Sequence, residues 1–213
     1  MKKQILLLVL CFMPLVGWGE EVKLEKVQID SGVPAIERGV GYFMDNCHSC
    51  HNMKYIKLRE LANLGVDKAK IKIWQGDQSL DAPLMGQMPD EAAMQSFGKI
   101  PPDLSLMVSA REGGVNYVYS YLMGYYLKPD GSLGNHVYTV TKMPDPLGIS
   151  DATDATQRAE IQAKAKDIVS FLAWASDPHE QERYKLGYYL IGYLAVLTVL
   201  LYLMKIKIWS RLK

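Results

Sequence analysis

The nine residues "MDNCHSCHN" at positions 44–52 decide how the rest of the chain is interpreted. They contain Cys47 and Cys50, separated by two residues, and His51 directly after the second cysteine. Three kinds of site use a pair of thiols at this spacing: a covalently attached haem, a redox-active dithiol, and half of a zinc site. The remainder of the sequence distinguishes between them.

A zinc site has the least support. A structural zinc ion takes four protein ligands, commonly from two pairs of cysteines or histidines. His136 and His179 are far apart in the sequence and do not have the spacing of a second ligand pair. The pattern therefore favours one of the two remaining interpretations.

A thioredoxin-like dithiol follows a buried strand and begins a helix. Upstream of this motif the apolar residues Ile36, Val40 and Phe43 recur at helical spacing, with Ser31 or Pro34 as start signals. The motif is therefore predicted to end a helix rather than to begin one. His51 also has no function in a dithiol site.

The pattern Cys-x-x-Cys-His is the attachment signal of c-type haem. Cys47 and Cys50 lie about one turn apart, so both sulfurs reach the two vinyl groups of one porphyrin. His51 then supplies an imidazole nitrogen to the iron. The sequence predicts one haem c, bound covalently through the two cysteines, with His48 pointing away from the metal.

A second axial ligand to the iron is usually a methionine or another histidine. Met143 lies in "YTVTKMPDPLG", residues 138–148, where Pro144 and Pro146 exclude regular structure and stiffen the loop. That stiffness favours Met143, with His136 as the rival. Their positions leave five other methionines possible: Met85, Met88, Met94, Met107 and Met123.

The N-terminus has the features of an export signal. Residues 1–21, "MKKQILLLVLCFMPLVGWGEE", begin with two lysines, continue with an apolar run and end in small residues. We expect a signal peptide over 1–19, cleaved after Gly19; a permanent N-terminal anchor is the alternative.

The net charge of the 213-residue chain is +1. A nucleic-acid-binding protein usually has an excess of basic residues on one face, and this charge does not indicate one.

The C-terminus predicts a membrane anchor. Residues 187–204 carry no charge, and as a helix they span roughly 27 Å, close to the hydrocarbon thickness of a bilayer. The basic residues beyond them indicate a cytoplasmic C-terminus; a buried core helix is the alternative. The expected organisation is an exported domain at 20–184 in a bacterial periplasm, an inner-membrane anchor at 185–205, and a basic tail at 206–213.

Between the motif and the anchor we find no repeat and no convincing strand alternation, so the predicted fold class is all-α with long loops. Helices are expected at 54–65, from Asp103 or Ser105 to the glycines at 113–114, at 115–126, and from Ser150 or Asp151 to 176. Five residues of the last helix are expected to pack on the helix before the motif: Ile161, Ile168, Phe171, Leu172 and Trp174.

Several blocks together resemble the cytochrome c1 family, the haem subunit of the cytochrome bc1 complex. They are "CHSCH" at 47–51, "PPDLS" at 101–105, "AREGGVNYVYSYLMGY" at 110–125, "KMPDPL" at 142–147 and "FLAWASDPHEQERYKLG" at 171–187. The resemblance implies a cytochrome c-like haem domain with one C-terminal transmembrane helix.

The resemblance also implies a role for each matching residue. Cys47 and Cys50 would bind the haem covalently, and His51 would be the proximal ligand. Met143 would be the distal ligand. Three further residues would contact the haem, Pro102 on its face and two at a propionate, Arg111 and Tyr117.

The implied function is one-electron transfer from the Rieske iron–sulfur protein, reduced by ubiquinol oxidised on cytochrome b, to a soluble or membrane-tethered cytochrome c. Such a subunit of an oxidoreductase needs no substrate pocket of its own. Two rivals are a free membrane-anchored cytochrome c and an anchored thiol–disulfide enzyme. The segment "MQSFGK" at 94–99 departs from the family pattern, so no haem contact is assigned there and no docking surface at 66–98.

Overall fold

The computed structural model describes residues 22–211, and the expected signal peptide lies outside them. The helices are α1 Val33–Asn46, α2 Leu58–Leu64, α3 Lys68–Gln75, α4 Asp90–Phe97, α5 Met107–Ala110, α6 Val115–Met123, α7 Ala155–Ser176 and α8 Glu180–Trp209. Short antiparallel pairs join β1 Met53–Lys57 to β2 Pro83–Leu84, and β3 Tyr125–Leu127 to β4 Leu133–Asn135. The described chain is mostly helical, as predicted.

The core is built on the packing of α1 against α7, which confirms that the last helix of the domain covers the helix before the motif. Phe43 of α1 and Phe171 of α7 are fully buried with ring centroids 5.3 Å apart. Burying each aromatic side chain stabilises the fold by about 1.5–3 kcal/mol. Helix α1 has Pro34 in its first turn and ends at Asn46, directly before Cys47.

The two helices approach each other closely at Gly39. A Cβ atom at this position would overlap the carbonyl oxygen of Asp167 and lie 2.9 Å from Cβ of Phe171. Beside this contact, Arg38 donates two hydrogen bonds to the Asp167 carboxylate, at 2.7 and 2.9 Å. The absence of a side chain at position 39 therefore sets the distance between α1 and α7.

The helix expected at 54–65 begins only at Leu58 and ends before Gly65, and its first residues form β1. The backbone N–H groups of Lys54 and Tyr55 donate to side chains of the 101–105 block, Asp103 Oδ2 at 2.9 Å and Ser105 Oγ at 3.1 Å. These two side chains are thus occupied in a distant contact. Neither side chain caps the next helix. The helix expected from Asp103 or Ser105 to the glycines at 113–114 is therefore shortened to α5.

Helix α7 begins later than the sequence predicts. The backbone N–H of Ser150 donates to Asp145 Oδ2 at 2.7 Å, which holds this residue in the preceding loop. The N-cap is Asp154, whose carboxylate accepts from the N–H of Gln157 at 2.8 Å. The sequence also did not predict α3, α4 or the two strand pairs.

An N-terminal strap, residues 22–31, precedes α1 and contains no helix or strand. Its backbone N–H groups at Glu25 and Val27 donate to Ser120 Oγ at 2.8 Å and to Asn116 Oδ1 at 2.9 Å. Both acceptors belong to α6, so the strap is bound to that helix by hydrogen bonds.

Helix α8 is long and apolar enough to cross a membrane, and none of its residues is buried against the described chain. A core helix of a soluble domain would bury one face. The exposed apolar surface therefore agrees with the predicted transmembrane helix and disagrees with the alternative of a buried core helix.

We expect Gly39→Ala to lower the free energy of unfolding by about 3 kcal/mol, because overpacking forces α1 away from α7. Gly41→Ala, in the same helix, is the matched control, since nothing lies within 4 Å of a Cβ there. This control should be neutral or stabilising by up to about 1 kcal/mol. Urea unfolding of the full chain in detergent measures both; equal stability of the two variants would contradict the packing argument.

Candidate haem site at Cys47, Cys50 and His51

The two cysteines lie on a single turn at the end of α1. The N–H of Cys47 donates to the Phe43 carbonyl at 2.8 Å, and the N–H groups of Cys50 and His51 donate to the Cys47 carbonyl at 3.1 and 2.9 Å. Both cysteines are free. The chain therefore presents two thiols and an imidazole within the five residues 47–51 of one turn, and the end of α1 sets where that turn begins.

The environment of Cys47 does not suit thiol–disulfide exchange. Its side chain is buried, and burial, followed by the neighbouring Cys50, raises the pKa of the Cys47 thiol to about 12. Reactive dithiols have a stabilised thiolate and hence a lowered pKa. This observation disfavours the dithiol interpretation.

The imidazole of His51 is oriented by a backbone carbonyl. Its Nδ1–H donates to the Pro102 oxygen at 2.8 Å, and only 6% of the residue is exposed. Burial lowers the pKa of His51, so the ring is neutral at pH 7. With Nδ1 protonated, Nε2 carries the lone pair, and it has no hydrogen-bond partner among residues 22–211. This is the arrangement of a histidine that ligates a metal.

A covering segment, residues 84–88, lies against the motif. The N–H of Gly86 donates to Asn52 Oδ1 at 2.7 Å, and the N–H of Met88 donates to the Ser49 carbonyl at 3.0 Å. A Cβ at Gly86 would lie 3.1 Å from the His51 carbonyl oxygen. Local sequence patterns do not predict this contact, because it depends on the pairing of β2 with β1.

Pro102 and Arg111 line the same open groove, of about 410 Å³. Its other lining residues are Tyr55, Asp103, Leu106, Met107 and Ala110. The Arg111 guanidinium lies 5.8 Å from the ring centroid of Tyr117. Arg111 has no ion-pair partner in the described part of the chain, so its charge is available to an anionic group. The structure thus brings together three predicted site residues: Pro102, Arg111 and Tyr117.

Met143 is half-buried in a loop held by side-chain hydrogen bonds. Its N–H donates to Thr141 Oγ1 at 3.2 Å. Asp145 accepts from three backbone N–H groups further along, those of Leu147, Gly148 and Ser150. No hydrogen bond joins this loop to the Cys47–His51 turn within residues 22–211. Iron ligation by Met143 stays a prediction.

His136, the rival ligand, and His48 of the motif have other surroundings. The His136 ring stacks on Tyr126 with centroids 4.2 Å apart. His48 lies 6.0 Å from the Phe43 ring, at the edge of the α1–α7 core. Its Nδ1 is buried without a hydrogen-bond partner among the described residues, for which we have no structural explanation.

Known proteins resemble this chain over most of its length. The sequence model of the Cytochrome C1 family matches residues 28–86 and 77–212. A cytochrome c1 of Allochromatium vinosum is 30% identical over 99% of both chains. The mitochondrial cytochrome c1 heme protein of Schizosaccharomyces pombe is 34% identical over 84% of this chain and 67% of its own.

The chain belongs to the cytochrome c1 family.

Membership of the cytochrome c1 family implies a c-type haem, and the residues present fit that group. The two free cysteines share one turn, and the unpartnered Nε2 of His51 follows directly. Residues 22–211 contain no cluster of three or more His, Cys, Asp or Glu side chains that could hold a bare metal ion. The fit to haem is therefore better than the fit to zinc.

In this member of the cytochrome c1 family we expect Asn52→Ala to lower the free energy of unfolding by about 1–2 kcal/mol, because the Gly86 N–H loses its acceptor. Asn46→Ala is the control, since Asn46 makes only an exposed hydrogen bond within α1. It should stay within about 0.5 kcal/mol of the parent. Urea unfolding measures both variants. Equal losses would show that the hydrogen bond between Asn52 and Gly86 stabilises the fold no more than the exposed one of Asn46.

Proposed function

We propose that this chain is the haem-bearing subunit of a cytochrome bc1 complex and passes single electrons from the Rieske iron–sulfur protein to a soluble or membrane-tethered cytochrome c. The observation that carries the proposal is His51. Its buried, neutral imidazole has Nδ1 fixed by the Pro102 carbonyl and Nε2 free, directly after two unpaired cysteines on one turn. This set of donors suits a covalently attached haem and no bare metal ion.

One haem c would be held covalently by Cys47 and Cys50 through thioether bonds. When bound, the haem supplies a reversible change between ferric and ferrous iron. His51 would be its proximal ligand and Met143 its distal ligand, and a methionine ligand raises the reduction potential.

The groove residues have complementary roles. Pro102 lies on the haem face, and its carbonyl keeps the His51 ring in one orientation. The unpaired Arg111 guanidinium, held beside Tyr117, balances a propionate charge. None of these groups exchanges a proton with a substrate, as expected for a subunit that only relays electrons.

The remaining assignments concern location. Residues 1–19 direct export and are removed, and residues 20–184 form the periplasmic haem domain of a bacterium. The anchor at 185–205 lies within α8. The basic residues of the tail at 206–213 support a cytoplasmic C-terminus. In the inner membrane the anchor packs on cytochrome b. A Cβ at Gly187 or Gly192 would meet nothing within 4 Å, which leaves these positions open to a neighbouring helix.

The first test concerns covalent attachment. Produced in cells that mature c-type cytochromes, the full chain should keep its haem absorbance after denaturation and acid–acetone extraction. Its mass should exceed that of the processed polypeptide by one haem. The Cys47→Ser/Cys50→Ser double variant should lose both signals, because no thioether can form. Extraction of all haem from the parent protein would refute the assignment.

The second test concerns the distal ligand. Met143→Ala should abolish the weak long-wavelength absorption band of ferric iron bonded to a thioether and should lower the reduction potential. Met94→Ala is the matched control, because Met94 is half exposed on α4. If Met143→Ala keeps the band and Met94→Ala loses it, then Met94 and not Met143 is the distal ligand.

A further inference from the structure

A chain of three hydroxyl groups connects α6 and β3 to the loop that carries Met143. The Tyr125 hydroxyl donates to the Tyr121 oxygen at 3.2 Å, and the Tyr121 and Thr141 hydroxyls are 2.5 Å apart. Thr141 Oγ1 in turn accepts the backbone N–H of Met143 at 3.2 Å. The connection therefore ends on the backbone of the proposed ligand residue.

Each oxygen of the Tyr121–Thr141 hydrogen bond has a second partner. The Tyr121 oxygen accepts from Tyr125, and Thr141 Oγ1 accepts from the Met143 N–H. Either hydroxyl can donate in the bond between Tyr121 and Thr141. The threonine oxygen is thus the junction between the helix and the loop.

The tyrosines themselves are firmly placed. The Tyr121 ring stacks on Tyr117 with centroids 6.4 Å apart and meets the Tyr125 ring edge-on at 5.6 Å. Tyr125 is buried, with 4% of its surface exposed. Through Tyr117 this column continues to Arg111. These ring contacts hold the Tyr121 hydroxyl in one position, where it bonds to Thr141 of the loop.

The loop is held on both sides of Met143. Upstream, the junction at Thr141 ties it to α6. Downstream, the Asp145 carboxylate accepts the N–H groups of Leu147, Gly148 and Ser150 at 2.7–3.1 Å. Between them Met143 and Pro144 have little freedom. Displacement of the methionine side chain from a metal by movement of the loop would break the upstream link.

We propose that Tyr121 and Thr141 are positioning residues that keep Met143 in place as distal ligand and so set how readily the iron loses it. This inference rests on the proposed function, because it takes Met143 to be that ligand. Neither residue touches the iron. Their effect is on the equilibrium between a loop in place and a loop displaced.

The test removes single hydroxyls from the haem-loaded full chain. Tyr121→Phe keeps the stacked ring, and Thr141→Val keeps the branched shape. The probe is cyanide, which binds ferric haem only where the methionine has left. We expect the rate of cyanide binding to rise about three- to tenfold in each variant, the factor that corresponds to one hydrogen bond of ordinary strength. The thioether absorption band should weaken in parallel.

Matched controls separate positioning from general loosening of the fold. Tyr126→Phe removes a neighbouring phenol that makes no hydrogen bond in the described chain, and Thr141→Ser keeps the junction oxygen. Both should bind cyanide within about twofold of the parent, below the effect of a typical hydrogen bond. The Tyr121→Phe/Thr141→Val double variant should not exceed Thr141→Val, because that single variant already removes the hydrogen bond to Tyr121.

Met143→Ala distinguishes failure of this inference from failure of the proposed function. If it binds cyanide as slowly as the parent, Met143 is not the ligand and the proposed ligand set is wrong. If it binds cyanide fast while Tyr121→Phe stays at the parental rate, only the positioning role is overturned. Should Thr141→Val fail to take up haem, Tyr121→Phe alone decides. Adding Tyr121→Phe to Met143→Ala should change nothing further.

Discussion

The contact of α1 with α7 at Gly39 is the constraint on which the site depends. Helix α1 ends at the turn that carries both cysteines, so its placement on α7 sets where that turn lies. The ion pair of Arg38 with Asp167 crosses the same contact, but Arg38 is half exposed, and exposed pairs contribute 1 kcal/mol or less. Close backbone packing and the buried Phe43–Phe171 pair therefore dominate.

The segment at 101–105 performs two tasks at once. Its Asp103 and Ser105 side chains accept backbone N–H groups of β1, and its Pro102 carbonyl accepts from the His51 ring. An unpaired donor at a buried imidazole would cost about 1–3 kcal/mol. The residues that fold the chain after the motif are thus the same residues that orient the imidazole.

The sequence was sufficient where the signal is local. Helical spacing before the motif predicted α1, the apolar residues of the last helix predicted its packing on α1, and an uncharged run predicted α8. The five blocks between residues 47 and 187 predicted the family, which the family model confirms. The haem roles of all seven site residues stay predictions: Cys47, Cys50, His51, Pro102, Arg111, Tyr117 and Met143.

The sequence was insufficient where a backbone group has a distant partner. Nothing in residues 54–57 shows that Asp103 and Ser105 accept from them, so the pattern predicts a helix where the structure has a strand. The late start of α7 likewise depends on Asp145 binding the Ser150 N–H. The covering segment on the motif follows from a strand pair with little alternation. Local periodicity cannot reveal such long-range hydrogen bonds.

The separation of α1 and α7 along the chain has a consequence for biogenesis. Arg38 and Asp167 are 129 residues apart, and at roughly 5–20 residues per second synthesis takes on the order of ten seconds to supply the second helix after the first. Throughout that interval the surface of α1 that α7 covers in the folded domain has no partner. The core therefore closes only after nearly all of the domain that ends with α7 has been synthesised.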